Sequence, residues 1–215
     1  MIDTHGKGDY GHMSGITKSV RSRKKERTRK QLIDTAIALF SRQGIENTTV
    51  EQIALEAGTG KGTVYNYFAT KEDLIVAFMA DLELRAQPTV KRFAELDAPL
   101  AEILSAFAWN LLDAKRRYRM FVRSFLARIV GPDDSFQTHV LEMQKAIDTT
   151  LTMLFSRLQQ RGIVRKDLDL QHLQLTFKTM HLGLTVLWAL EGSPWRETRK
   201  VLTTEMAMMA KGIEV

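Results

Sequence analysis

The chain contains no cysteine. Disulfides, thiolate metal sites and cysteine nucleophiles are therefore excluded, and a cytoplasmic protein is the expectation. Proline is scarce, with 4 in 215 residues, so few positions interrupt a regular backbone. Nor does any strand-like alternation of apolar and polar residues occur. Long apolar runs are also missing. "MHLGLTVLWAL", Met180 to Leu190, is the longest, and it falls far short of the roughly 20 residues a membrane helix needs. No membrane partner is expected. No signal peptide precedes Met13. The opening "MIDTHGKGDYGHM" is polar and glycine-rich and ends in His-Met before a second plausible start, so residues 1–13 read as an added leader.

What is present points elsewhere. Apolar residues make up 44% of the chain, enough for a sizeable buried core. The net charge of +6 favours a polyanionic partner. Apolar residues recur at spacings of three and four, the helical period. The expectation is an all-α chain of about nine helices, with no internal repeat.

Start and stop signals divide it. Residues 14–24 read as a basic flexible arm. From about Arg23 the chain merges into a helix whose apolar face is Leu32, Ile33, Ala36, Ile37, Leu39 and Phe40, closed by Gly44. In "NTTVEQIALEAG" a threonine at 48 or 49 caps a short helix and Glu51 or Gln52 closes a capping box. Ile53, Ala54 and Ala57 face inward, and Gly58 stops this helix. Lys61 to Tyr67 is a second short helix. A longer one starts at Lys71, carries Leu74, Ile75, Phe78, Met79 and Leu82, and is broken or kinked by Pro88. Further helices run from Asp97 and Pro99, from Tyr118 to Ile129 (ended by Gly131 and Pro132), from Ser135 to Arg161, from Asp167 to Glu191, and onward from Ser193 and Pro194.

"GTGKGT", Gly58 to Thr63, invites two readings. A phosphate-binding loop needs G-x-x-x-x-G-K-[ST] between a strand and a helix. Here Gly62 follows Lys61, Leu55 occupies the place of the first glycine, and a capped helix precedes the stretch. That reading fails on spacing and on context. The other reading is a helix-turn-helix, whose second helix enters the DNA major groove. Gly58 gives the turn its permissive backbone, and Gly62 allows close approach to another backbone. Val64 and Phe68, one helical turn apart, pack inward on Ile37, Phe40 and Ile53. Thr63, Tyr65, Asn66 and Tyr67 are left for the outer face, where hydroxyls and an amide read base edges or phosphates. Lys61 and Lys71 each stand at a helix start, where the dipole disfavours a cation. A phosphate partner explains that placement.

At this point the chain resembles the TetR-type transcriptional regulators. The likeness runs densely from about Lys30 to Phe78, through "ALFSRQG", "TTVEQIA", "AG", "KGTVYNYF" and "KEDL". Beyond it only the layout is similar. The resemblance implies a three-helix DNA-binding domain at 25–86 (motif 49–68) and a helical ligand-binding and dimerisation domain at 87–215. It implies a homodimer through the last two helices, a palindromic double-stranded operator, and a small-molecule effector whose binding releases DNA. It places Lys61, Gly62, Thr63, Tyr65, Asn66 and Tyr67 on the recognition helix, Thr49 at a cap near the DNA backbone, and Lys71 on a phosphate. Arg27, in the basic run before the first helix face, is a further DNA candidate by counterion release. One departure is Gly60, where the family usually has a small hydroxyl residue as cap; glycine is the weaker cap by a few tenths of a kcal/mol.

In the second half, "LTFKTMHLGLTVLWAL" is apolar nearly all round and needs burial on several sides. A monomer core covers one face and a second subunit the rest, with Gly183 allowing close approach. The aromatic and methionine residues Trp109, Phe121, Phe125, Met143, Phe177, Met180 and Trp188, with His181 as polar anchor, are candidates for a cavity holding an apolar or aromatic ligand. Taken singly, each also reads as ordinary core. His139, His172 and His181 have no ligand partner three or four residues away, so no metal is expected. No catalytic motif and no cofactor site emerge, and an enzyme is not expected.

Overall fold

The computed structural model describes residues 20–85, 87–129, 137–192 and 194–215. The leader, the arm up to residue 19, the Gly131–Pro132 stop, Ser135 and the Ser193 cap lie outside these residues. Among the described residues every extended regular element is a helix, and a single isolated antiparallel bridge joins Val164 to Glu214. In chain order it runs α1 Val20–Gln43, α2 Val50–Glu56, α3 Lys61–Tyr65, α4 Lys71–Leu84, α5 Gln87–Ala94, α6 Leu100–Asp113, a 3₁₀ turn Arg116–Tyr118, α7 Arg119–Ile129, α8 Gln137–Gln160, α9 Leu170–Glu191 and α10 Trp195–Ile213.

Three boundaries differ most from expectation. α3 ends at Tyr65 and not at Tyr67, so Asn66 is its C-terminal cap and Tyr67 lies in the turn beyond it. Residues 20–24 belong to α1 and not to a flexible arm. Lysine, arginine and glutamate are good helix formers, and no glycine or proline intervenes between Val20 and Gln43. Pro88 does not merely end α4. It sits in the first turn of a separate helix, α5, where its missing N–H costs nothing.

The caps follow the chemistry of their residues. Thr49 Oγ1 accepts from Gln52 N–H at 3.2 Å, and Gln52 Oε1 accepts from Thr49 N–H at 2.9 Å. Thr70 and Asp73 form the same reciprocal box on α4. Thr48 is buried instead and donates to Gly44 O at 2.7 Å. At the far end, Gly192 closes α9 in the left-handed region. There Arg119 donates to the carbonyl of Trp188, which also accepts the Gly192 N–H, and to that of Leu190, one of the groups that a helix end leaves without an intrahelical partner.

All six apolar residues predicted for the α1 face are buried, and with them Ile53, Val64, Phe68, Leu74, Ile75, Phe78 and Met79. They join one apolar cluster that continues through α6, α8 and α9 to α10. An aromatic cluster stitches the first helices to the rest. Phe78 of α4 packs edge-on against Tyr118 at 4.7 Å, and Phe121 of α7 meets both Phe40 and Phe78 at 6.2 Å.

Candidate nucleic-acid interface and ligand cavity

The α2–α3 pair turns at Gly58, whose φ of 64° lies where a β-carbon is disfavoured. Gly60 caps α3 without any side-chain hydrogen bond. Val64 and Phe68 are buried, which fixes the roll of the short helix. Lys61, Gly62, Tyr65 and Asn66 then face solvent, with Tyr65 48% exposed although it is a large aromatic. Thr63 and Tyr67 are half-buried, and Tyr67 also packs against the core beside Phe68. A β-carbon at Gly62 would meet nothing within 4 Å, so no contact inside the protein demands glycine there.

The two lysines have protein partners. The Lys61 ammonium pairs with Glu51 of α2 and lies 5.7 Å from the centre of the Tyr65 ring. That hydrogen-bonded pairing holds the Glu51 carboxyl below its ordinary pKa and the Lys61 amine above its own. Lys71 donates to the carbonyls of Ile45 at 2.7 Å and Thr48 at 3.3 Å. Those carbonyls explain a cation at this helix start without a phosphate. They use two of the three ammonium protons. Thr49 is exposed at its cap, and Arg27 is exposed on the basic first half of α1. Arg29 of that run is half-buried, 3.5 Å from Asp81 and over the Phe68 ring.

A cavity of about 370 Å³ opens among α4, α6, α7, α8 and α9. Of the eight candidates, Phe125, Met143, Phe177 and His181 line it. The other four candidates do not. Trp109 and Trp188 pack against Trp195 at 4.8 and 5.2 Å, and Trp109 borders a separate cleft beside Arg199. Phe121 is committed to the aromatic cluster with Phe40 and Phe78. Met180 is half-buried and packs against the core outside the cavity lining. One residue from His181, it is turned about 100° around the helix axis.

Polar lining residues escaped the sequence reading. Lys115 and Glu83 pair at 2.5 Å with side-chain exposures of only 6% and 14%. Thr150, Gln144, Thr185 and Lys178 also line the wall. Glu83 was legible in principle: it lies four residues after Met79, on a face predicted to point inward. Lys115 likewise lies four residues after the inward-facing Leu111, but just past the end of α6. Both ring nitrogens of His181 are buried without a hydrogen-bond partner. Burial, with a smaller effect from the Lys115 charge, pushes its pKa down to about 3. The imidazole is therefore neutral at ordinary pH.

Comparison with known proteins fits this geometry. Residues 32–78 match the family model described as bacterial regulatory proteins, tetR family. The HTH-type transcriptional regulator SrpR of Pseudomonas putida is 30% identical over 162 residues, covering 74% of each chain. The chain belongs to the TetR family. It is thus a DNA-binding transcriptional regulator, with a helix-turn-helix at α2–α3. TcmR of Streptomyces glaucescens, another HTH-type regulator, is 45% identical, but over only 74 residues; the match spans a third of that relative's length, 33%. Among solved structures, the TetR-family repressor FadR of Thermus thermophilus, crystallised in complex with lauroyl-CoA, aligns with a TM-score of 0.70 at 21% identity. It covers 87% of this chain and 95% of that one, a likeness of fold. Among the described residues no helix is long and apolar enough to cross a membrane.

Proposed function

We propose that this TetR-family regulator is a homodimeric, non-catalytic repressor, released from a palindromic operator in the cytoplasm by a small apolar or aromatic ligand. Residues 25–86 read the DNA, and residues 87–215 hold the ligand and the partner subunit. The observation that carries this reading is the double duty of α4. Its Met79 and Glu83 form cavity wall, while Leu74, Ile75 and Phe78 lie in the core shared with α1. A ligand that displaces one face of α4 displaces the reading head packed on the other.

On the DNA side, Tyr65 and Asn66 are the base-reading candidates, with Lys61, Thr63 and Tyr67 beside them. Gly62 lets the duplex backbone come close. Thr49, Arg27 and the third Lys71 proton are left for phosphates. Dimerisation is supported by a stripe of exposed apolar residues, Leu175, Leu182, Leu187 and Leu190 on α9, and by Val201 and Met208 on α10. Gly183 lies within that stripe, with open space above it.

The test is a gel-shift titration with the DNA flanking the protein's own gene, at two salt concentrations. Wild type should bind as a dimer. Lys61→Ala should weaken binding to all DNA and make the slope of log affinity against log salt shallower, by about 0.9 for each phosphate no longer neutralised. Tyr65→Ala should weaken the specific site selectively. Equal weakening on specific and random DNA for Tyr65→Ala would remove it from base reading.

A further inference from the structure

Every charge lining the cavity, among the described residues, has its opposite beside it. Lys115 pairs with Glu83, and Lys178 pairs with Asp148 at 2.5 Å. His181 is the exception among the polar liners, because both of its ring nitrogens are buried without any partner. Its ring stacks on Phe177 at 6.0 Å and 14°, and Phe177 in turn lies 5.6 Å from Phe107. The imidazole is thus the polar end of an aromatic wall. Buried polar groups are normally paired, and an unpaired one is costly until something supplies the bond.

We infer that the cavity takes an uncharged, largely apolar molecule bearing a hydroxyl group, a phenol or an alcohol, whose hydroxyl docks on the His181 imidazole. This rests on the cavity being the effector site. A neutral imidazole offers one N–H donor and one bare nitrogen acceptor. A hydrocarbon leaves both unanswered. A ketone serves only the donor. A carboxylate serves only the donor too, and brings a charge into a cavity whose two cations are already neutralised. A hydroxyl serves either nitrogen, accepting from one or donating to the other. The aromatic wall around the ring favours a flat ligand body.

The experiment is titration calorimetry at neutral pH with four probes: biphenyl, 4-phenylphenol, biphenyl-4-carboxylate and lauroyl-CoA. Each is added to the full-length wild type, to His181→Phe and to His181→Gln. The phenol should bind wild type about tenfold more tightly than biphenyl, the order of one net hydrogen bond, and more tightly than either anion. The preference should vanish in His181→Phe, which keeps the ring stack, and return in part in His181→Gln, which keeps a donor and an acceptor. If biphenyl and the phenol bind wild type equally, the cavity remains a ligand site but the hydroxyl inference falls. Tighter binding of the carboxylate or of lauroyl-CoA overturns it in favour of an anion. A preference that survives His181→Phe overturns it as well. If none of the probes binds wild type, the cavity is no effector site and both readings fall.

Discussion

Lys115 Nζ lies 2.5 Å from Glu83 Oε1, with both side chains almost removed from solvent, and the same ammonium donates to Leu111 O at 3.1 Å. The pair ties α4, which carries the reading head, to the segment just beyond α6. Removing one partner strands a buried charge. Glu83→Ala should cost about 3–5 kcal/mol. The double change Glu83→Leu with Lys115→Met should recover most of that loss. Urea unfolding of the three proteins checks it, and a double variant as unstable as the single one would mean the pair is a net source of stability.

The buried imidazole predicts a pH dependence. His181 titrates near 3 in the folded chain, against 6.5 ordinarily, because burial and the nearby Lys115, itself paired with Glu83, disfavour its cation. Above about pH 6.5 the ring is neutral in both states and stability is intact. Below it, the unfolded chain takes up a proton that the folded chain refuses. Stability should fall by about 1.4 kcal/mol per pH unit from this group, down to the folded value. In His181→Phe that component should be absent. Parallel stability–pH curves for the two proteins would refute it.

Gly60 caps α3 with extended backbone, and a β-carbon there meets nothing within 4 Å. Gly60→Ser should therefore add a cap bond without strain and reduce the freedom of the unfolded chain. Stability should rise by about 0.5–1 kcal/mol, read as a higher urea midpoint. The operator complex should also tighten if the recognition helix is loosely held in the free protein.

Lys71 binds carbonyls of the α1–α2 loop. Lys71→Met should lower stability by about 1.5–3 kcal/mol, the range for hydrogen bonds from charged donors, before any effect on DNA is considered. A variant with normal stability and weak DNA binding would mean that phosphate contact is its main role.

The apolar stripe on α9 and α10 should be a subunit seam. Leu190 and Met208 are 59% and 67% exposed. Leu190→Glu with Met208→Glu should halve the mass found by sedimentation equilibrium while leaving the helical circular dichroism unchanged. An unaltered mass would place the seam elsewhere.

The sequence by itself determined the helices and the reading head. Their signals are local: a 3.6-residue period at Leu32, Ile33, Ala36, Ile37 and Phe40, a threonine–glutamine box at Thr49, and glycines where φ is positive. Val64 and Phe68, one turn apart, settle which side of α3 faces out, so the exposure of Tyr65 and Asn66 was legible as well. What only the tertiary structure decided is which buried side chains border empty space and which polar groups meet. Phe121 and Phe125 are one turn apart on α7, yet the first packs against Phe40 and Phe78 and the second faces the cavity. Lys71 reads as a phosphate ligand until the loop carbonyls of Ile45 and Thr48 are seen against it, and Lys115 reads as solvated until Glu83 is. Those pairings join residues 23 to 32 positions apart. Periodicity reports which face of a helix leaves water, but the crossing of helices fixes what that face meets.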